Sequence, residues 1–330
     1  MTSLTGTLLA GYTAAKHAVV FAFPDAAVLR SRGADRIDLL NRLSTNELKN
    51  LQPQQGALTV LTNEKGRIID VLTVLTDTDK TLLLCSPGNQ SSVIQWLRKY
   101  TIMDDCKVHD ATAEYFALEI HGPESTSLLS SLAGEVILDL PMSHWQNIML
   151  FGQPAKLIRQ PAFCEFSFLV LFDAGSEAIV RAHCAEYAES VPSINSDVLE
   201  VLRIEAGSGK YGAELTDAYN PLEAGLLHMV HFKKGCYIGQ EVIARIDSYN
   251  KVKQRIMGFV SQEVLTPGAD ITVDDGTTIV GRITSVTHSP DYGCIALGYI
   301  RGEHAHQHSM VNIIGPTSHL PAEIRQLPFE

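Results

Sequence analysis

A mixed strand-and-helix region followed by a small all-β unit is the architecture this sequence predicts. Three observations carry it. The chain has 330 residues, which at roughly 150 residues per domain corresponds to about two domains. Up to residue 252 the apolar pattern switches between a period of two and the helical period. Beyond it come short β-type runs between Gly and Pro turns. The expected division is therefore 1–252 and 253–330, with the second unit a barrel or sandwich.

The elements follow in order. Asp35–Ser44 reads as a helix, with Ile37, Leu40 and Ser44 on one face. Ala57–Leu61, Ile68–Leu75 and Thr81–Cys85 form a three-strand meander, broken at Asn63–Gly66 and Asp77–Asp79. Gln90–Tyr100 is a helix and Tyr115–Ile120 a strand. Pro123 suits the first turn of another helix. Glu177–Glu189 and Asp197–Ala206 are further helices, and Asn220-Pro-Leu-Glu223 reads as a helix start with a capping Asn. The second unit holds strands at Arg255–Val260, Ile271–Val273, Thr278–Thr287, Ile295–Ile300 and Met310–Ile313. The last stretch, with Pro316, Pro321 and Pro328, reads as a tail.

Composition narrows the function. Apolar residues make up 45% and charged residues 19%, a globular balance that excludes a disordered chain. The net charge of −11 argues against a protein that coats nucleic acid or an anionic membrane. No stable nucleic-acid partner and no membrane partner is expected. Six cysteines lack any zinc, ferredoxin or thioredoxin spacing, so reduced thiols in the cytoplasm are the expectation. No apolar run reaches the roughly 18 residues of a membrane span, and Met1–Phe23 lacks the basic start and apolar block of a signal peptide.

Several motifs have bland readings. Gly207-Ser-Gly-Lys-Tyr-Gly212 fits the dinucleotide pattern, but a helical pattern precedes it and a loop follows, so a glycine-rich helix exit accounts for it better. It also fails as a P-loop, because Tyr211 stands where Ser or Thr is needed. His304, His306 and His308 alternate but lack an obvious fourth ligand, and an exposed loop is favoured over a metal site.

Two carboxylates are sharper. Asp70 lies in a strand that is apolar on both faces, so it is either a satisfied structural group or a ligand contact. Glu205 falls inside the apolar stripe of its helix, as a partner of a buried Arg or as an acceptor for a ligand's N–H groups. The densest signal is Lys233–Arg245. Cys236 falls at or just before a helix N-terminus, with lysines at 233 and 234 favouring thiolate and glycines at 235 and 239 opening the backbone around the sulfur. The alternative is a small buried hydrophobe. Phe232–Arg255 carries six basic and two acidic residues, a +4 island in an acidic chain that suits an anionic ligand or partner.

Lys-Gly-Cys-Tyr-Ile-Gly-Gln-Glu at 234–241, followed by Arg245, resembles the signature of the YgfZ branch of the YgfZ/GcvT family. Asn63–Asp70, Leu202–Gly207 with Tyr211-Gly212, Pro221–Gly225, and Gly281–Ser285 with Ala296–Tyr299 resemble that family's other motifs in order. The resemblance implies an α+β fold, with GcvT-like folate-binding N-terminal lobes and a C-terminal β-barrel around a central cavity. It implies tetrahydrofolate or a one-carbon derivative as cofactor, held by Asp70, Glu205, Asn63 and Tyr211. It also implies a factor that supports iron–sulfur cluster assembly or repair, not a classical enzyme, acting through Cys236 within the motif Lys234, Gly235, Tyr237, Gly239, Gln240, Glu241 and Arg245. Iron–sulfur client or assembly proteins are then the partners. One thiol cannot hold a cluster normally bound by four, so any cluster is shared.

The alternative is a folate-dependent aminomethyltransferase like the glycine-cleavage T-protein. T-proteins resemble one another in two consecutive aspartates on the hairpin strand, where this chain has Asp70 and Val71. They also carry a basic residue where Gln240 stands. A ligand-binding module without thiol chemistry is the third reading.

Overall fold

A computed structural model describes residues 6–134, 140–249, 251–273, 278–315 and 318–329. Pro316 and the first five residues of the segment read for a signal peptide lie outside the described residues. Helix α1 (Thr7–His17) leads into β1 (Val20–Ala22). Next come β2 (Val28–Arg32), α2 (Arg36–Leu43), β3 (Gly56–Thr62), β4 (Ile68–Thr76), β5 (Lys80–Leu84), α3 (Gln90–Tyr100) and β6 (Lys107–Asp110). The chain continues through β7 (Tyr115–His121), α4 (Ser125–Ala133), β8 (Trp145–Leu150), β9 (Gln153–Arg159), β10 (Ser167–Asp173), α5 (Glu177–Glu186), β11 (Ser193–Ile194) and α6 (Ser196–Glu205). After a long irregular stretch come α7 (Gln240–Ser248), β12 (Gln254–Ser261), β13 (Asp270–Val273), β14 (Thr278–Ser289), β15 (Gly293–Arg301), β16 (Met310–Ile314) and β17 (His319–Arg325).

The class is α+β. Strands β3-β4-β5-β2-β6 form one sheet and β11-β1-β7-β10-β9-β8 a second. The two pack face to face through Val28, Leu75, Leu82, Trp145, Leu169 and Leu171. Helices α2 and α3 cover the outer face of the first sheet through Leu39, Leu40, Leu43, Val93 and Leu97. Helices α4 and α5 cover that of the second through Leu129, Val180 and Cys184. The first sheet is an excursion from the second: β1 belongs to the six-stranded sheet, β2 to β6 build the other, and β7 returns.

The meander expected at 57–85 is present as β3, β4 and β5. Its first turn is set by Asn63, whose Oδ1 accepts from the N–H of Lys65 at 2.9 Å and of Arg67 at 3.0 Å, the local bonding that makes Asn a turn residue.

The C-terminal unit is a closed six-stranded barrel, β12-β15-β14-β13-β16-β17, filled by Phe259, Ile271, Ile283, Ile300, Ile313 and Ile324. Two expectations are corrected here. The last stretch is not a tail: β17 closes the barrel against β12 and β16. Beyond it, Phe329 is buried and its N–H donates to Glu205 O at 2.8 Å. Nor does Asn220 start a helix. Asn220 Oδ1 accepts from the N–H of Leu222 and Glu223, and Glu223 Oε2 accepts from that of Asn220, so the reciprocal cap forms. The chain then leaves the helical path at Gly225, φ 73°, and only a single turn at Leu227–Met229 follows.

Candidate ligand and thiol site

Cys236 is the one exposed cysteine. Burial pushes the thiols of Cys85 and Cys184 up to about 12 and that of Cys164 up to about 11, and it raises those of Cys106 and Cys294. The loop that carries Cys236 is pinned on both sides. Tyr237 is buried with Leu222, Val230 and Ile243. Ile238 donates its N–H to Arg42 O at 3.0 Å and accepts from Thr62 Oγ1 at 2.7 Å.

Three sequence expectations change. Helix α7 begins at Gln240, four residues after the thiol. Lys234 is turned into the fold, 7% exposed. Its ammonium donates to Asn41 O at 2.7 Å, to Ser44 O at 2.9 Å and to Asn46 O, and burial lowers its pKa to about 8. It therefore fastens the loop to the end of α2. Gly239 answers to close packing rather than openness: at φ 84° a Cβ there would stand 2.7 Å from Asn63 O. Gly235, in contrast, faces open space. Gln240 Oε1 accepts from the Tyr237 N–H at 3.4 Å, while Glu241 and Arg245 are exposed.

A cavity of about 810 Å3 lies where the first sheet, the 206–230 stretch and the barrel meet. Leu58, Val71, Met229 and Met257 give it apolar walls, Ser86 and the backbone of Ala206–Gly209 polar ones. Exposed Arg255 and His228 are its basic residues. Glu223 also lines it. Its Oε2 is taken by Arg67 and the Asn220 N–H, and its Oε1 has no hydrogen-bond partner among the described residues. In the sequence Glu223 ends a helix-start pattern and lies within the motif Pro221–Gly225, and that motif is the one signal that its carboxylate lines a cavity.

None of Asp70, Glu205, Asn63 and Tyr211 lines this cavity. Asp70 is fully buried and points the other way from Val71. Its carboxylate accepts from the N–H of Val71, from the N–H and Oγ of Ser86 and from Asn89 Nδ2, at 2.6–3.1 Å. Burial raises its pKa against those bonds. Glu205 accepts from Tyr12 OH at 2.8 Å, Ser289 Oγ at 2.6 Å and Lys16 Nζ at 3.1 Å, so its ion pair is with a partly exposed Lys instead of a buried Arg. Asn63 and Tyr211 come together elsewhere, in a groove of about 690 Å3 that includes Trp96 and Asn89. The glycine-rich 207–212 stretch does exit a helix, α6. His304 ends a single helical turn, and exposed His308 meets Glu323 at 2.6 Å.

Two stacked sheets with outer helices, a closed barrel and a cavity where they meet make up the architecture. Residues 13–234 match the GCVT N-terminal domain and 254–329 the glycine cleavage T-protein C-terminal barrel domain. The chain belongs to the glycine cleavage T-protein (GcvT) family. It is 31% identical over 306 residues to a chloroplastic protein of Arabidopsis thaliana named as a transferase, covering 91% of this chain and 70% of that one. It is 27% identical over 309 residues to an aminomethyltransferase of Symbiobacterium thermophilum, covering 90% and 82%. The crystal structure of the glycine cleavage system aminomethyltransferase T from Bartonella henselae superposes with a TM-score of 0.86 at 19% identity, over 98% of this chain and 89% of that one. That last likeness is one of fold. No helix among the described residues is long and apolar enough to cross a membrane.

Proposed function

We propose that the protein binds tetrahydrofolate or a one-carbon derivative in the central cavity. The observation that carries this is the cavity itself. Its volume of about 810 Å3 lies within the roughly 300–1,000 Å3 of small-molecule sites. Its apolar walls suit a flat ring system, the free Oε1 of Glu223 suits ring N–H donors, and Arg255 suits a carboxylate tail. Titration calorimetry with tetrahydrofolate tests it. Val71→Trp fills the cavity from an open strand position and should abolish binding. Arg255→Gln should cost about 1 kcal/mol, as for an exposed charge pair. Unchanged affinity in Val71→Trp would place folate elsewhere.

What is done with the folate has two readings. The names of the relatives support a one-carbon transferase better than iron–sulfur maintenance. The YgfZ-like segment at 234–245 supports the second, in which Cys236 contacts sulfur, a cluster or a redox partner shared with an iron–sulfur client. Two geometric points favour that second reading: Cys236 is exposed on a pinned loop, and the cavity wall presents Val71, with Asp70 turned inward. A cytoplasmic location goes with it. Ammonia release from an aminomethylated lipoyl carrier decides for transfer. Failure of Cys236→Ser to restore iron–sulfur enzymes in a deletion strain decides for maintenance.

A further inference from the structure

The basic island does not act as one surface. Lys234 is buried and Arg255 faces the central cavity. Arg245, Lys251 and Lys253 instead converge on a second cavity of about 440 Å3. Val242, Ile246 and Tyr249 wall it from α7 and its end, at the i, i+4, i+7 spacing of one helix face. Asn220, Glu223 and Arg67 close the opposite side. Among the described residues Glu223 alone lines both this pocket and the central cavity, so the two are separate spaces that meet at one side chain.

The charges around the pocket are unbalanced. Arg67 is committed to Glu223 Oε2 at 3.0 Å and to Ala218 O at 2.9 Å. Arg245, Lys251 and Lys253 have no acidic partner among the described residues. The Lys251 ammonium lies 5.2 Å from the centroid of the Tyr249 ring. Three cations that repel one another around an apolar wall, in a chain of net charge −11, form a place where an anion lowers the energy. Tyr249, which lines the same pocket, is 66% exposed.

We propose that this pocket binds a small, multiply charged anion carried on an apolar, ring-sized body: the cations take the head group, and Val242, Ile246 and Tyr249 take the body. Phosphate and dicarboxylate heads share that chemistry. The probes are therefore phenyl phosphate, phthalate, inorganic phosphate and benzyl alcohol, titrated into the full chain and followed by amide shifts of residues 242–253. Phenyl phosphate or phthalate should saturate, about tenfold more tightly than inorganic phosphate because the ring adds apolar contact. Benzyl alcohol should not saturate. Whichever dianion binds more tightly names the head group. Arg245→Gln with Lys253→Gln should weaken binding about tenfold or more, and added salt should do the same. Tyr249→Ala should bring phenyl phosphate down to the level of phosphate. These side chains are exposed, so the variants keep the fold, which their melting curves check. Arg255→Gln, on the central cavity, should leave this binding unchanged, which separates its failure from that of the folate proposal. Equal affinity for phenyl phosphate and phosphate, or undiminished binding in the double variant, overturns it.

Discussion

Lys234→Met gives the sharpest test of how the Cys236 loop is held. The stem is kept and the ammonium removed. In the wild type, burial lowers this ammonium from 10.5 to about 8, a penalty of about 3 kcal/mol for the charged form. The folded pKa lies below the unfolded one, so between about pH 8 and 10.5 the unfolded chain binds more protons and stability rises with pH. Of the 3 kcal/mol, about 2 should be regained between pH 7 and pH 9.5. The variant loses the donor to three carbonyls, at about 1 kcal/mol or more for each buried acceptor left alone. It also escapes the charge penalty. At pH 7 these nearly cancel; at pH 9.5 the wild type should lead by about 2 kcal/mol. Urea unfolding followed by tryptophan fluorescence reads the relevant part of the chain, since Trp96 and Trp145 both precede the barrel. Parallel pH profiles for the two proteins, or a wild type that weakens over this range, would refute the buried-ammonium argument.

Other outcomes follow from the same geometry. Alkylation at limiting reagent and pH 8 should label Cys236 first; Cys85 and Cys184, at about 12, are thiolate in only about one molecule in ten thousand there, and peptide mass spectrometry reads the order. Phe329→Ala should cost the barrel about 3–5 kcal/mol, the range for emptying a buried ring site, measured by thermal unfolding; a shift near zero would mean that the terminal stretch is dispensable. Glu205→Gln should lower stability by about 2 kcal/mol, since it removes the charged acceptor of the Tyr12 and Ser289 hydrogen bonds, and leave tetrahydrofolate affinity close to wild type in calorimetry. Gly239→Ala should displace the Cys236 loop from the hairpin and slow no other thiol, which the same alkylation experiment resolves.

The barrel was legible because its strands alternate between Gly and Pro turns, and the meander because Asn63–Gly66 carries its own turn chemistry. Strand β10 was missed because it is buried on both faces from Ser167 to Phe172, which leaves no period to read. Strand β17 was hidden by Pro321, which pairs only with Asn312 of β16, away from the stretch that meets β12. There a missing N–H is tolerated. Helix α1 is anchored by Tyr12 and Lys16 on Glu205, a contact spanning most of the N-terminal part that no local pattern announces. At the central cavity, the chain neighbours of two expected residues form the wall: Val71 beside Asp70 and Ala206 beside Glu205. On β4 a shift of one residue exchanges Asp70 for Val71 at the cavity wall. The bulge between Leu61 and Thr62 on the paired strand adds an offset that spacing alone does not reveal.

The excursion that builds the first sheet has its two ends side by side: the Ala111 N–H donates to Val28 O at 2.9 Å, and the Val28 N–H donates to Thr112 Oγ1 at 3.1 Å. Such a lobe is cut out or transplanted as one continuous piece, because a short bridge can rejoin the stumps. The sheet it leaves is not separable in that way, since its strands come from both flanks. Yet every carbonyl that grips Lys234 belongs to the lobe, 188 to 193 residues upstream. A grafted lobe would carry away the socket and leave the key behind. Likewise, during synthesis the thiol loop finds its seat only after the intervening sheet has been made, which makes the ordering of Cys236 a late event in folding.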